Sequence, residues 1–300
     1  MDSLITEGIN SSTIGLDSLS TLDLVTAINE QDQLVAFAVK AVLSDVAKAV
    51  DSIVMQLKKG GRLIYVGCGT SGRLGVLDAS ELPVTFSAPE GQVIAVIAGG
   101  KEAVFKSQEQ VEDSLQQPVH DLRQLGLSKE DTVVGLTASG QTPYVIGAMN
   151  YANSLGCITV GISCNPASAL STCVTHAITP VLGAEVLAGS TRMKAGTAQK
   201  MILNMLSTGA MVGLGKCYGN LMVDMRADAC QKLKLRAQRI LSSICQCTSE
   251  KALQTLTDSN YDLKAAVLII LANVDLNTAK QTLLVHDGNL RNALKTLADC

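Results

Sequence analysis

The stretch that decides the fold is residues 61–82, GRLIYVGCGTSGRLGVLDASEL. The β-forming residues at 62–66 predict a strand, and the loop at 67–72 holds three glycines beside a threonine and a serine. Glycine lets the backbone approach a ligand closely, and the free N–H groups at the start of a helix attract anions. We therefore predict a phosphate-binding turn here, with the carboxylate of Glu81 on the helix that follows. The turn residues that we expect to bind substrate are Gly69, Thr70 and Ser71.

The same glycines satisfy the spacing G-x-G-x-x-G, which is typical of dinucleotide sites. A dinucleotide site also needs an Asp or Glu at the end of the next strand, where it binds the ribose. The next strand is predicted at 92–97, and Ala98, Gly99 and Gly100 follow it without an acid. A Walker loop is excluded as well, because no Gly-Lys-Ser/Thr follows the glycines. The motif therefore favours a smaller phosphorylated ligand.

Composition excludes several classes of protein. The net charge of the 300 residues is −3 and only 3% are aromatic, which argues against a nucleic-acid surface. The longest apolar run near the C-terminus, 265–272, is far shorter than the roughly 20 residues of a membrane span. The opening MDSLITEGIN has no basic residue, so we expect no secretory signal. The nine cysteines form no paired C-x-x-C, so we expect free thiols and a cytoplasmic protein.

Short β-forming runs alternate with helical patterns through the middle of the chain. The predicted strands are 62–66, 92–97, 132–136, 158–162 and 177–181, and the main predicted helices are 33–57, 71–82, 101–116, 143–155 and 197–213. This alternation predicts an α/β fold with a doubly wound parallel sheet, whose ligands bind at the C-terminal ends of the strands. We expect N-terminal helices at 1–50, the α/β domain at 51–243 and a small helical domain at 244–300.

Two further clusters of hydroxyl and charged residues also precede predicted helices. The cluster at 137–143 offers Ser139, Gln141 and Thr142, and the cluster at 185–197 offers Glu185, Ser190, Arg192 and Lys194. Ser139 or Thr142 could instead cap the helix after the first of these clusters, and Ser190 or Thr191 could cap the helix after the second. Together with the first turn, however, the two clusters would complement an anionic substrate.

The acids near these turns suggest a reaction. Besides Glu81, the predicted helix at 101–116 carries Glu109 and Glu112, whose three-residue spacing puts both on one face. Two carboxylates that face one phosphosugar could act as general acid and general base, if their surroundings separate their pKa values. Acids on helices are more often only solvated. The three histidines fall in separate segments, and we expect them to be structural or solvent-exposed.

Several segments resemble those of bacterial N-acetylmuramic acid 6-phosphate etherases. They are GRLIYVGCGTSGRLGVLDASELP at 61–83, IAGGKEAVFKSQEQVEDS at 97–114, ASGQTPYV at 138–145, GISCNP at 161–166 and EVLAGSTRMKAGTAQKMILNMLSTGAM at 185–211. The opening ITEGIN and the segment CYGNLMVD at 217–224 are similar too, so the resemblance runs from about residue 5 to the C-terminus. It implies a sugar isomerase (SIS) domain, a flavodoxin-like sheet, with a UBA-like helical domain after it.

The resemblance also implies a reaction and its residues. The reaction is cleavage of the D-lactyl ether of N-acetylmuramic acid 6-phosphate by elimination and water addition, in the recycling of cell-wall sugars. It implies that Glu81 is the acid that helps lactate leave and that Glu112 is the base that removes the C2 proton, with Glu109 in reserve for either role. It further implies a cytoplasmic homodimer without a metal or other cofactor, and a small phosphosugar as the only partner.

The sequence departs from the family pattern at a few positions. Cys68 stands where the family usually has alanine, and Leu82 and Val84 flank Pro83 where the family has Cys-Pro-Pro. None of these changes removes a proposed acid or hydroxyl group. Two other functions of the same fold stay open, an aldose–ketose isomerase and a phosphosugar-sensing regulatory protein. A sensor needs no acid/base pair, so the presence of both Glu81 and Glu112 argues against it.

Overall fold

The computed structural model describes residues 4–108 and 110–298. In this part of the chain five parallel strands form one sheet in the order β2-β1-β3-β4-β5. The strands are β1 (Leu63–Gly67), β2 (Val93–Ile97), β3 (Thr132–Leu136), β4 (Ile158–Ile162) and β5 (His176–Ile178). β1 and β3 are buried throughout, as expected for the central strands of a parallel sheet. The predicted α/β fold with a doubly wound parallel sheet is confirmed.

Helices cover both faces of the sheet. Those in and around it are α1 (Thr21–Ala41), α2 (Leu43–Lys58), α3 (Gly69–Phe86), α4 (Gly100–Phe105), α5 (Gln117–Gln124), α6 (Pro143–Ser154), α7 (Ala169–Thr172) and α8 (Lys194–Gly213). Ile64 of β1 packs with Val133 and the α6 residue Met149, whereas the neighbouring Tyr65 bonds to Asp78 of α3. Because successive strand residues point to opposite faces, α6 and α3 lie on opposite sides of the sheet.

Two predicted helices differ in the structure. The pattern at 33–57 is divided between α1 and α2, because Val42 leaves helical geometry with φ −109°. The predicted helix at 101–116 was wrong beyond Phe105. Lys106 is extended there, and Gln110 takes a left-handed φ of +66°, so the segment that carries Glu112 is irregular. Glu109 lies outside the described residues.

The chain divides into two compact units. The first comprises the described residues up to Ser80 together with 91–207, and the second comprises 81–90 and the described residues from 208 onward. The expected three-part division at residues 50 and 243 stays a prediction. Among the described residues, no helix combines the length and apolarity needed to cross a membrane.

The second unit contains a two-stranded hairpin and the remaining helices. These are β6 (Cys217–Tyr218) with β7 (Leu221–Met222), and α9 (Gln231–Cys245), α10 (Ser249–Asp258), α11 (Leu263–Ala272), α12 (Leu276–Val285) and α13 (Leu290–Ala298). The side chains of Thr248, Asp262 and Asp275 cap the starts of α10, α11 and α12. Because these caps satisfy N–H groups that a helix start leaves free, they set where each helix begins.

Candidate functional site

The turn between β1 and α3 has the close backbone packing that its glycines predict. A Cβ atom on Gly72 would lie 2.7 Å from the carbonyl oxygen of Gly67, so neither the loop nor the helix start has room for a side chain there. Gly69, where α3 begins, takes a left-handed φ of +50°. The 18-residue helix α3 therefore begins almost directly after the strand, and Thr70 and Ser71 belong to its N-terminal end. This arrangement suits an anion.

A second turn follows β3 and is built from hydroxyl groups. The Thr137 hydroxyl lies 2.7 Å from that of Thr142 and 3.2 Å from that of Ser139. Thr142 directly precedes α6, but its side chain makes no capping hydrogen bond to the helix. The alternative that Thr142 serves only as a helix cap is therefore not supported. Gly140 has a φ of +71° and passes so close to Ser168 that a Cβ atom would clash at 2.3 Å. The turn is thus tightly folded with its hydroxyl groups clustered.

The two turns meet at a cavity of about 270 Å³. Its lining residues come from both turns, from the N-terminal segment and from two loops: Glu7, Cys68, Gly69, Thr70, Ser71, Glu112, Leu136, Thr137, Ala138, Ser139, Thr142 and Thr191. A wider cavity of about 640 Å³ shares Glu7, Glu112, Ser139 and Thr142 with it and adds Leu4, Asp113, Gln141 and Pro143. Hydroxyl and N–H donors dominate the narrow cavity, although Glu7 and Glu112 line it as well, and three carboxylates border the wide one. Such a site suits a ligand with an anionic end and a polar body.

Glu112 reaches this cavity from the irregular segment rather than from a helix face. Its backbone carbonyl accepts a 3.0 Å hydrogen bond from the N–H of Tyr144, in the first turn of α6. Its side chain is exposed. This bond fixes the backbone of Glu112 beside the second turn, so the carboxylate can face a bound ligand.

The thiol of Cys68, which also lines the narrow cavity, is not a candidate for the reactive group. Cys68 is buried, and this burial raises the pKa of its thiol to about 12, with a further contribution from the carboxylates of Glu112 and Asp113. A thiol with so high a pKa is neutral near pH 7 and is a poor nucleophile. All eight cysteines in the described part of the chain are free.

Ser71 and the helix behind it are held by buried polar contacts. The Ser71 hydroxyl donates to the side-chain oxygen of Gln199 at 2.9 Å. Deeper in the unit, the buried carboxylate of Asp78 accepts hydrogen bonds at 2.7–3.1 Å from Tyr65, Asn204 and Ser207. Since Asp78 belongs to α3 and two of its donors to α8, these bonds fix the two helices against each other beneath the first turn.

The structure brings most of the predicted site residues together and leaves others apart. Those that line the two cavities are Gly69, Thr70, Ser71, Glu112, Ser139, Gln141 and Thr142. Glu81 belongs to the second compact unit, where its side chain is exposed, and it is not among the lining residues. Ser190 and Arg192 are also absent from the lining, although Thr191 between them is part of it.

Glu185 and Lys194 have structural partners instead. The buried carboxylate of Glu185 accepts hydrogen bonds of 2.9 Å from the N–H groups of Lys194 and Ala195, so it caps α8. The Lys194 ammonium group donates to Gln31 at 3.0 Å and to the carbonyl of Leu182 at 2.9 Å. Burial lowers the pKa of Lys194. Both residues shape the loop that carries Thr191, and their predicted contact with substrate stays a prediction.

Sequence reasoning did not assign Glu7 or Thr191 to the site. Thr191 was considered only as a cap for α8. Glu7 lies in a 3₁₀-helix of three residues, Ile5–Glu7, which is too short to show a periodic pattern. The segment ITEGIN contributed only to the resemblance, and that was the one signal that pointed to it.

Comparison with known proteins identifies the family. A protein of Enterobacter sp. named N-acetylmuramic acid 6-phosphate etherase is 53% identical to this chain, over 98% of this chain and 99% of the relative. A protein of the same name from Pasteurella multocida is 50% identical, over 97% of this chain and 96% of the relative. The chain belongs to the N-acetylmuramic acid 6-phosphate etherase family. An etherase of Escherichia coli is likewise 50% identical, over 98% of this chain and 99% of the relative. The resemblance seen in the sequence is thereby confirmed, and the protein is an enzyme of this etherase family.

Two further comparisons concern the fold of this etherase family member. A family model for the glucokinase regulatory protein N-terminal SIS domain matches residues 45–153. A solved phosphoheptose isomerase from Francisella tularensis superposes with a TM-score of 0.51 at 18% identity, over 65% of this chain and 100% of that one. The SIS fold is therefore confirmed around the two turns that line the cavity.

Proposed function

We propose that the protein cleaves the D-lactyl ether of N-acetylmuramic acid 6-phosphate to N-acetylglucosamine 6-phosphate and D-lactate. The reaction consumes one water. In the first half the C2–H and C3–O bonds break, a C2–C3 double bond forms and lactate leaves. In the second half water adds its oxygen to C3 and a proton returns to C2, which restores the saturated sugar.

The observation that carries this proposal is the pair of joined cavities with Glu112 at their boundary. The narrow cavity offers the hydroxyl groups and helix-start N–H groups that a phosphate needs as donors. The wider cavity next to it has room for the sugar. A ligand that enters phosphate first would therefore present its sugar carbons to the carboxylate of Glu112.

Glu112 is our candidate for the base. The open-chain form of the sugar has an aldehyde at C1, which acidifies the proton on C2. A carboxylate within hydrogen-bond reach can take that proton and later return it, which lowers the barriers of both halves of the reaction. The same group can serve both halves because the elimination leaves it protonated.

Glu81 is our candidate for the acid that protonates the departing lactate oxygen. This assignment rests on the family resemblance of the DASE segment at 78–81. Loss of lactate from C3 needs a proton at the ether oxygen, because that oxygen would otherwise leave as an alkoxide, which is a poor leaving group. We propose in addition that the enzyme is a homodimer and that it acts in the cytoplasm, in the recycling of cell-wall sugar.

The test is incubation of the purified protein with N-acetylmuramic acid 6-phosphate in water enriched in ¹⁸O. We expect release of D-lactate and incorporation of ¹⁸O at C3 of the sugar product, with the lactate unlabelled. Label in the lactate would contradict elimination. Tight binding of the substrate without lactate release would instead favour a phosphosugar sensor, and formation of a keto sugar would favour an isomerase.

A further inference from the structure

The N-terminal segment is anchored beside the cavity by one buried side chain. Thr6 is 2% exposed, and its N–H donates to the side-chain oxygen of Asn165 at 3.3 Å. The side-chain nitrogen of Asn165 donates in return to the Thr6 hydroxyl at 2.9 Å. This reciprocal pair holds the 3₁₀-helix of residues 5–7 in one place, although the two residues are far apart in the sequence.

Asn165 also binds the second turn. Its side-chain nitrogen lies 3.1 Å from the carbonyl oxygen of Ala138 and 3.3 Å from that of Ser139. The same amide therefore joins the N-terminal segment to a wall of the cavity. Glu7 follows Thr6 directly, so its backbone position is fixed relative to the second turn.

The carboxylate of Glu7 lies at the cavity, and no group in the described part of the fold pairs with it. Its Oε2 atom lies 3.4 Å from the point where a Cβ atom on Gly189 would stand, and Glu7 lines both cavities. Among the described residues it has no hydrogen-bond or salt-bridge partner within the fold. Its side chain is exposed, so its oxygens can accept hydrogen bonds from a ligand.

The charge of Glu7 decides which part of a ligand it meets. A carboxylate repels a phosphate, so Glu7 does not serve the anionic end. A sugar, by contrast, carries hydroxyl and amide N–H donors that must find acceptors once they leave water. The ionisable acceptors that border the wide cavity are Glu7, Glu112 and Asp113.

We propose that Glu7 binds a hydroxyl group of the sugar as a hydrogen-bond acceptor and so determines how the phosphosugar is oriented. This inference rests on the proposed function, because it takes a phosphosugar as the ligand. It assigns the phosphate to the hydroxyl-rich turns and the sugar body to the carboxylates. Glu7 thereby sets which carbon of the sugar faces Glu112.

The test compares two ligands on the same variants by calorimetric titration. Glu7→Gln should weaken binding of N-acetylglucosamine 6-phosphate by about tenfold or more, since a hydrogen bond to a charged acceptor is lost. The same variant should bind inorganic phosphate as tightly as the wild type or more tightly, because one negative charge has gone. Glu30→Gln makes the same chemical change at an exposed position on α1 away from the cavities, and it should leave both affinities unchanged.

A shorter acid separates contact from charge. Glu7→Asp keeps the charge but withdraws the carboxylate by one methylene, so we expect it to lose affinity for the sugar phosphate as Glu7→Gln does, without a gain for phosphate. Equal binding of the sugar phosphate by wild type and Glu7→Gln would overturn the inference while leaving lactate release, and hence the proposed function, intact. Failure of the wild type to bind the sugar phosphate or release lactate would overturn both.

Discussion

The hydroxyl of Ser71 donates a 2.9 Å hydrogen bond to the side-chain oxygen of Gln199, whose own nitrogen is buried and has no partner among the residues that the structure describes. Gln199 is 1% exposed and belongs to α8, so it supports the first turn from beneath. If its amide turns over, the nitrogen donates to Ser71 and the hydroxyl proton of Ser71 becomes free for a phosphate oxygen. The amide at this position thus fits both the empty and the occupied cavity.

Gln199→Glu tests this relationship. An ionised carboxylate only accepts hydrogen bonds, so the proton of Ser71 stays committed to it, and a negative charge lies beneath the phosphate. We expect inorganic phosphate to bind about tenfold or more weakly by titration, in line with the loss of a charge-assisted bond. Gln199→Met has similar bulk without charge or hydrogen bonding and should lie closer to the wild type. Equal phosphate affinity of Gln199→Glu and the wild type would contradict the assignment.

Glu112→Gln should stop exchange of the C2 proton of the sugar with solvent. The amide cannot take a proton, so we expect the exchange rate in D₂O, followed by NMR, to fall by about 10²-fold or more. Substrate affinity should change less than the exchange rate, by about tenfold, because a neutral amide oxygen is a weaker acceptor than a carboxylate. Glu102→Gln, an exposed acid on α4, is the matched control. Continued exchange in Glu112→Gln would show that another group is the base.

Glu81→Gln should separate the two halves of the reaction. If Glu81 protonates the departing oxygen, its loss slows D-lactate release by about 10²-fold while C2 exchange continues. Both rates can be measured in one D₂O incubation, by NMR for the sugar and by enzymatic assay for lactate. Glu90→Gln, exposed in the same unit, is the control. Loss of exchange together with lactate release would mean that the roles of the two glutamates are different from those proposed.

Asp131, which lies away from the cavities, makes the stability of the fold depend on pH. Its side chain is 1% exposed, and its oxygens accept from the Arg62 guanidinium at 2.7 and 3.0 Å. Burial alone would raise the pKa of Asp131, but the hydrogen bonds from Arg62 and from backbone N–H groups outweigh it and lower the pKa below its ordinary value. The stability that this pair contributes is therefore complete above about pH 4 and is lost as the pH falls through the lowered pKa.

We expect Asp131→Asn to lower the free energy of unfolding by about 2 kcal/mol or more at pH 7, because Arg62 loses its carboxylate. At pH 3 and below, the difference from the wild type should shrink. Urea denaturation at the two pH values measures it, with Asp51→Asn on the surface of α2 as the control. If the difference in the free energy of unfolding between Asp131→Asn and the wild type does not depend on pH, Asp131 stabilises the fold through its shape and not through its charge.

The sheet and the first turn could be predicted from the sequence because their residues carry local patterns. Strands such as Thr132–Leu136 are short apolar runs that are followed by turn residues, and this pattern can be read without knowing the tertiary contacts. Glu112 lines the cavity, but the predicted helix does not bring it there. The helix assumed for it ends at Phe105, and a bond from the distant Tyr144 fixes its backbone instead.

Charged residues that are buried could not be predicted. The sequence places Glu185 and Lys194 in a cluster that is expected to bind substrate, and it gives no sign that either is buried, because charged residues are normally exposed. In the fold each is 1% exposed and satisfied by partners that come together only in the tertiary structure. Glu7 was missed because the contact that places its segment at the cavity is a long-range one, between the neighbouring Thr6 and Asn165.

The bond between Thr6 and Asn165 also constrains the order of events during synthesis. The two residues are 159 positions apart, so the ribosome makes the anchored segment long before it makes the anchor. Closing so long a loop costs conformational entropy that is recovered only after the intervening strands have folded. The N-terminal wall of the cavity can therefore form only after strands β1–β4, which lie between the two residues in the sequence, have been synthesised.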